Sequence, residues 1–205
     1  MRTSRVEAFS DGVFAVAITL LVLDLHIPVT HGSLVNGLAD EWPAFAAFAI
    51  SFLVIGIVWV NHHTLYHLLS HTDRVMLFLN LGLLMTVVLI PFVTALFADY
   101  VTTGGSEASI AGVLYNADML LMGITFQLAV QWVNGHHDLL RERLVPLTRR
   151  QQVRYGIGPI LYVACIPLSF VSAPAVLAID ALVAVYYIFD QASVQRADEP
   201  AEAGT

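Results

Sequence analysis

The sequence predicts an all-α membrane protein with six transmembrane helices and both termini in the cytoplasm. Three observations carry this reading. Only 12% of the 205 residues are charged and 58% are hydrophobic, whereas a soluble domain usually carries about 25% charge. Residues 42–72, 75–98 and 155–179 contain no Asp, Glu, Lys or Arg, and each run exceeds the roughly 20 residues of helix that a hydrocarbon core needs. The 9 basic residues, all arginine, fall on one side of a six-span chain. Lipid leaves only helices and closed barrels able to satisfy the backbone. Continuous apolar runs, in place of alternation, select helices.

The first helix is expected from about Glu7 to Ile27, stopped by Pro28, which cannot continue a backbone ladder. The second runs from about Trp42 to Leu68 and the third from Arg74 to Phe97. The fourth runs from Glu107 to about Asn134, with Asp118 inside it. The fifth, Gln152 to Val171, contains Pro159 and Pro167 as expected kinks. A short Ser-Ala-Pro turn leads to the sixth, Pro174 to about Gln195. Residues 1–195 thus form a single six-helix transmembrane domain, and 196–205 a short polar tail without order.

Arg2 and Arg5 precede the first helix, and Arg74 lies between the second and third. Arg141, Arg143, Arg149, Arg150 and Arg154 lie between the fourth and fifth, and Arg196 follows the sixth. The positive-inside rule makes this side cytoplasmic, in a multi-pass protein of the cell membrane. The opposite side carries Asp24, Asp40, Glu41, Asp99 and Glu107. Loop solvation accounts for these acids, and so does a mouth that concentrates cations. Glu7 and Asp11 spoil a signal-peptide pattern, so the first helix is expected to stay uncleaved. Lone Cys165 excludes an internal disulfide, and no basic patch suggests nucleic acid.

The first helix opens with charges: Arg5, Glu7 and Asp11 stand within two turns of its start. Arg5 and Glu7 suit the interface by snorkelling. Ser10 or Asp11 suits the N-cap of a helix beginning at Gly12. On a continuous helix, Ser10 and Asp11 would instead point toward a neighbour. The end of the second helix, Trp59-Val60-Asn61-His62-His63, is echoed by Trp132-Val133-Asn134-Gly135-His136-His137. His63, His67 and His71 follow at helical spacing, a pattern able to chelate a metal. No HExxH and no third histidine box accompany them. Interfacial histidines that bond a neighbouring helix are expected, and no metal.

Arg5-x-x-x-Phe9-Ser10-Asp11, joined to Trp59, Asn61, His62 and His63, resembles the signature of the transmembrane protein 175 family of potassium channels. The resemblance covers roughly residues 1–195 and is to the single-repeat prokaryotic members. It implies a homotetramer around a pore lined by the first helices. There is no TVGYG filter here; instead, apolar residues form a constriction that discriminates weakly between potassium and sodium. Carried onto this chain, the constriction falls at Val16, Leu20 and Leu23, with Thr19 beside it and Asp24 at the outer mouth. Arg5, Phe9, Ser10 and Asp11 then hold the helix against histidine-bearing neighbours without touching the ion. Val16 stands where relatives usually carry Ile or Leu, so the resemblance does not fix the width of that ring.

Periodicity alone makes Phe9, Gly12, Val13, Val16, Thr19, Leu20 and Leu23 an ordinary apolar stripe. Two other functions fit parts of the sequence. Asp118 and Asp180 suit the relay carboxylates of a secondary transporter or proton-linked carrier. The histidines suit a membrane metalloenzyme, the poorer fit. The first reading makes the protein no enzyme, with permeant potassium and no cofactor. No helix carries the arginine ladder of a voltage sensor.

Overall fold

The computed structural model describes residues 3–25, 33–141 and 149–198, the side chains of 149–152, 154 and 190–198 excepted. Arg2, Pro28, Arg143 and residues 199–205 of the expected tail lie outside the described residues, as do the side chains of Arg149, Arg150, Arg154 and Arg196. The helices are α1 (Thr3–Leu20), α2 (Leu34–Asp40), α3 (Trp42–His67), α4 (Arg74–Tyr100), α5 (Gly105–Gly135), α6 (Arg149–Leu168) and α7 (Ala173–Asp198). Short 3₁₀ turns follow α1 at Leu21–Asp24 and α5 at His137–Leu139.

Four segments are long and apolar enough to cross a membrane: Thr3–Asp24, α3, α4 and α5. Shorter apolar stretches, Tyr155–Leu168 and Ala173–Phe189, lie in α6 and α7. The protein is therefore a helical membrane protein.

Several boundaries depart from expectation. Helix α1 begins at Thr3, so neither Ser10 nor Asp11 is an N-cap; both lie well inside a regular helix. At its far end the backbone tightens at Leu21 and is extended at Leu25, ending the helix before the expected Ile27. Helix α2 was not expected. Its N-cap is Ser33, whose Oγ accepts from the Asn36 amide at 3.3 Å, a local bond that a hydropathy reading passes over. Pro159 and Pro167 are accommodated within a continuous α6.

Helix α4 packs against α1, α3 and α5, and the α4–α5 and α5–α6 pairs make the most extensive contacts. The core holds Ile55 of α3, Val87, Ile90 and Phe97 of α4, and Met119, Val130 and Val133 of α5. Ser51 of α3 bonds Thr94 of α4 at 2.7 Å and Tyr115 of α5 at 3.1 Å, a buried polar tie across three helices. Helix α5 meets α6 through small residues. A Cβ on Gly123 would come within 2.6 Å of the Pro159 ring, and one on Gly112 within 2.9 Å of Ser169 Oγ. Close backbone approach through glycine is a common way to pack membrane helices.

At one end of the bundle, the segment after α3 is clasped to the segment after α5. The Ser70 amide donates to Leu139 O at 2.8 Å, and the Arg141 amide to Leu68 O at 2.9 Å. Arg141 Nε donates to Leu69 O at 3.0 Å. Asp73 caps α4 through the Met76 amide at 2.7 Å and accepts from Trp132 Nε1 at 2.9 Å. This end also holds Arg74 and the charged start of α1.

The Gly123 contact is with a rigid ring, so Gly123→Val should lower the thermal unfolding midpoint of the detergent-solubilised protein by several degrees. Overpacking of this kind costs about 1–3 kcal/mol. Gly135→Ala, where a Cβ meets nothing within 4 Å, should leave the midpoint unchanged. Calorimetry of the two variants checks the pair.

Candidate functional site

Helix α1 lies at the edge of the bundle, packed on α3 and α4. Its buried arc is Val6, Ser10, Phe14, Ala17 and Leu21. Four of these are apolar, and the five recur at i+4 and i+3 steps, the pattern of one helix face. Ser10 is the polar member, fully enclosed. Its partner is Asn80 of α4, which is also buried. Asn80 Nδ2 donates to Ser10 Oγ at 3.1 Å. His62 Nε2 of α3 lies 2.8 Å from Asn80 Oδ1. A carbonyl oxygen only accepts, so this contact puts the proton on Nε2. One amide thus joins α1, α3 and α4.

His62 is itself buried between aromatic rings. Phe14 of α1 meets its edge with centroids 5.5 Å apart, and Tyr66 stacks on it at 4.3 Å. Asn80, Phe14 and Tyr66 were absent from the candidates drawn from the sequence. A signal for Asn80 existed: it is an isolated amide in the uncharged run 75–98, and polar residues inside membrane spans bond across helices.

A second, more exposed set of contacts lies beside the first. Trp59 Nε1 donates to Asp11 Oδ1 at 2.8 Å. Trp59 stacks on His63 with centroids 6.1 Å apart. His63 Nδ1 is 4.0 Å from Glu7 Oε1. The sequence reading tied Arg5, Ser10 and Asp11 to histidine-bearing helices. Asp11 does meet the histidine-bearing α3, through Trp59, Ser10 reaches His62 through Asn80, and Arg5 is exposed with no polar partner found among the described residues. His71 does not share the face of His63 and His67, because α3 ends at His67; its Nδ1 meets Ser70 Oγ at 3.0 Å. Asn61 is half-buried and lines a small cavity of about 60 Å³ with residues of α5, α6 and α7, away from α1.

The echoed motif has a structural counterpart. Trp132 donates to Asp73 as Trp59 donates to Asp11, and each tryptophan stacks on the histidine four residues later. In both pairs a tryptophan in the last third of a helix meets an aspartate of a neighbouring helix, Asp73 at the N-cap of α4 and Asp11 midway along α1.

Phe9, Val16, Thr19, Leu20, Leu23 and Asp24 are all exposed on the protomer, Val16 at 57% and Leu23 at 72%. Thr19 Oγ1 donates its proton to Val16 O at 2.8 Å. The hydroxyl oxygen of this exposed residue therefore remains able to accept. In the 3₁₀ turn, residues three apart eclipse, which brings Leu23 into line with Leu20. Of the two carboxylates weighed for a carrier, Asp180 meets Asn116 Nδ2 at 3.4 Å, and Asp118 is buried.

Asn80→Leu removes the shared amide and leaves Ser10 and His62 without their partner. Each buried orphan costs about 1–3 kcal/mol, so the unfolding midpoint in detergent should fall by several degrees. Trp59→Phe removes only an exposed contact and should lower it far less. Equal midpoints for wild type and Asn80→Leu would contradict the central place of the amide.

Comparison with known proteins agrees with this architecture. Residues 5–91 match the family model for the endosomal/lysosomal potassium channel TMEM175. A potassium channel of Streptomyces collinus is 42% identical over 198 residues, covering 94% of each chain. One from Chamaesiphon minutus is 37% identical over 194 residues, covering 90% of this chain and 93% of that one. The crystal structure of a lysosomal potassium-selective channel TMEM175 homolog from Chamaesiphon minutus superposes with a TM-score of 0.79 at 35% identity, over 92% of this chain and 97% of that one. The chain belongs to the TMEM175 family.

Proposed function

We propose that the protein is one subunit of a homotetrameric, potassium-permeable cation channel of the cell membrane. Six spans, with both termini cytoplasmic, form residues 1–195 as one channel domain. Four copies of α1 surround the pore, and Val16, Leu20 and Leu23 form its constriction. The observation that carries this reading is the asymmetry of α1. One arc is locked to α3 and α4 by a buried polar junction, while an apolar arc with Thr19 beside it is left open on the protomer. Buried hydrogen bonds specify rotation in a way that apolar packing alone does not.

A ring of apolar side chains blocks ions by dewetting when narrow and passes them when slightly wider. Four Val16 side chains make a wider ring than four leucines, so Leu20 and Leu23, in line with each other, set the tightest point. Thr19 offers its oxygen to a partly dehydrated cation, since its own proton is occupied by Val16 O. Asp24, exposed at the end of the turn, raises cation concentration at the outer mouth. Ser10, Asp11, Trp59, His62 and His63 serve to hold the helices and do not coordinate the ion.

Potassium flux into liposomes tests the assignment. Leu23→Ala and Val16→Ala should change flux, by several-fold in at least one of them, and Thr19→Val should reduce the preference for potassium over sodium. Fluxes identical to wild type in all three variants would place the pore elsewhere.

A further inference from the structure

Glu7, His63 and His67 form a cluster that the proposed channel does not use. Each offers one ligand atom, and these atoms lie within 4.8 Å of one another. The two histidines are one helical turn apart on α3, so they project from a single face. The carboxylate comes from a different helix, α1. The reading of the histidine spacing counted His71 as the third ligand; the fold replaces it with Glu7.

The donor chemistry is two imidazoles and one carboxylate, which suits a borderline divalent ion such as Zn²⁺ or Co²⁺ and not Mg²⁺ or Ca²⁺. Three protein ligands with a fourth position left to water is a common zinc arrangement. Ligands at about 2.0–2.2 Å from a tetrahedral ion stand roughly 3.4 Å apart. The ligand atoms, within 4.8 Å of one another, must close to that spacing on binding. Both histidines are exposed and Glu7 is partly so, which leaves an entry path. His63 is already oriented by the Trp59 ring stacked on it, and Trp59 is held by Asp11. Outer partners of this kind fix ligand orientation in metal sites.

We propose that Glu7, His63 and His67 bind a divalent transition-metal ion that staples α1 to α3 at the end of the bundle bearing Arg74 and Arg141. Titration of purified protein with Co²⁺, followed by visible absorbance and by Zn²⁺ competition, tests this. Wild type should give a saturable, stoichiometric signal that Zn²⁺ displaces. His63→Ala and His67→Ala should each weaken binding by at least about tenfold, since even outer-sphere losses reach that size. Glu7→Gln should weaken it while leaving elution of the protein unchanged. His71→Ala, His136→Ala and His137→Ala should bind as wild type; the ring nitrogens of these residues already meet Ser70 Oγ, Trp132 O and Asn134 O. Absence of saturable binding in wild type would overturn the proposal. So would a site abolished by His71→Ala, His136→Ala or His137→Ala and retained in His63→Ala and His67→Ala.

Discussion

The Asn80 side chain is the constraint on which the position of α1 depends. Its amide offers a donor on one atom and an acceptor on another, and the structure uses each toward a different helix. Two apolar helices in lipid gain little by choosing one rotation over another, because lipid tails are as apolar as leucine. A buried hydrogen bond removes that degeneracy, since any other rotation leaves polar groups unpaired in a medium without water. Phe14 against His62, and His62 against Tyr66, fill the space around the junction so that the alternative rotation is also sterically occupied.

Everything proposed for conduction follows from that rotation. With Ser10 turned inward, Val16, Leu20 and Leu23 are turned away from the protomer's core. The tightening at Leu21 matters as well. A continued α-helix would carry Leu23 part of a turn away from Leu20, whereas the 3₁₀ turn aligns them. Charge then has a minor place near the ion path. The expensive groups at the head of α1 are spent on contacts with Trp59 and His63, and Asp24 stands at the opposite end.

Much of this was legible in the sequence, and the failures have physical causes. The α3, α4 and α5 segments are read correctly to within a few residues, because uncharged runs of that length have few alternatives in lipid. Ser10, Asp11, Trp59 and His62 were candidates, and all four lie in the contacts around α1. Their partners were not legible. Hydropathy reports how apolar a residue is and not which atom it meets, so Ser10 gave no hint of Asn80, and Asp11 pointed to the end of α3 without singling out Trp59 as its partner. His71 was grouped with His63 and His67 because spacing assumes that a helix continues, and α3 ends first. Helix α2 escaped because a seven-residue helix with a serine cap has no apolar run to announce it.

The central claim is that the exposed arc of α1 meets its own copies around one axis. Cysteine cross-linking tests it most directly, in a background where the single native cysteine, Cys165, is replaced by serine. Leu20→Cys and Leu23→Cys should form inter-subunit disulfides on mild oxidation in membranes, while Ala17→Cys and Leu21→Cys, on the buried arc, should stay unlinked. Linkage at Ala17 and Leu21 with none at Leu20 and Leu23 would contradict the account.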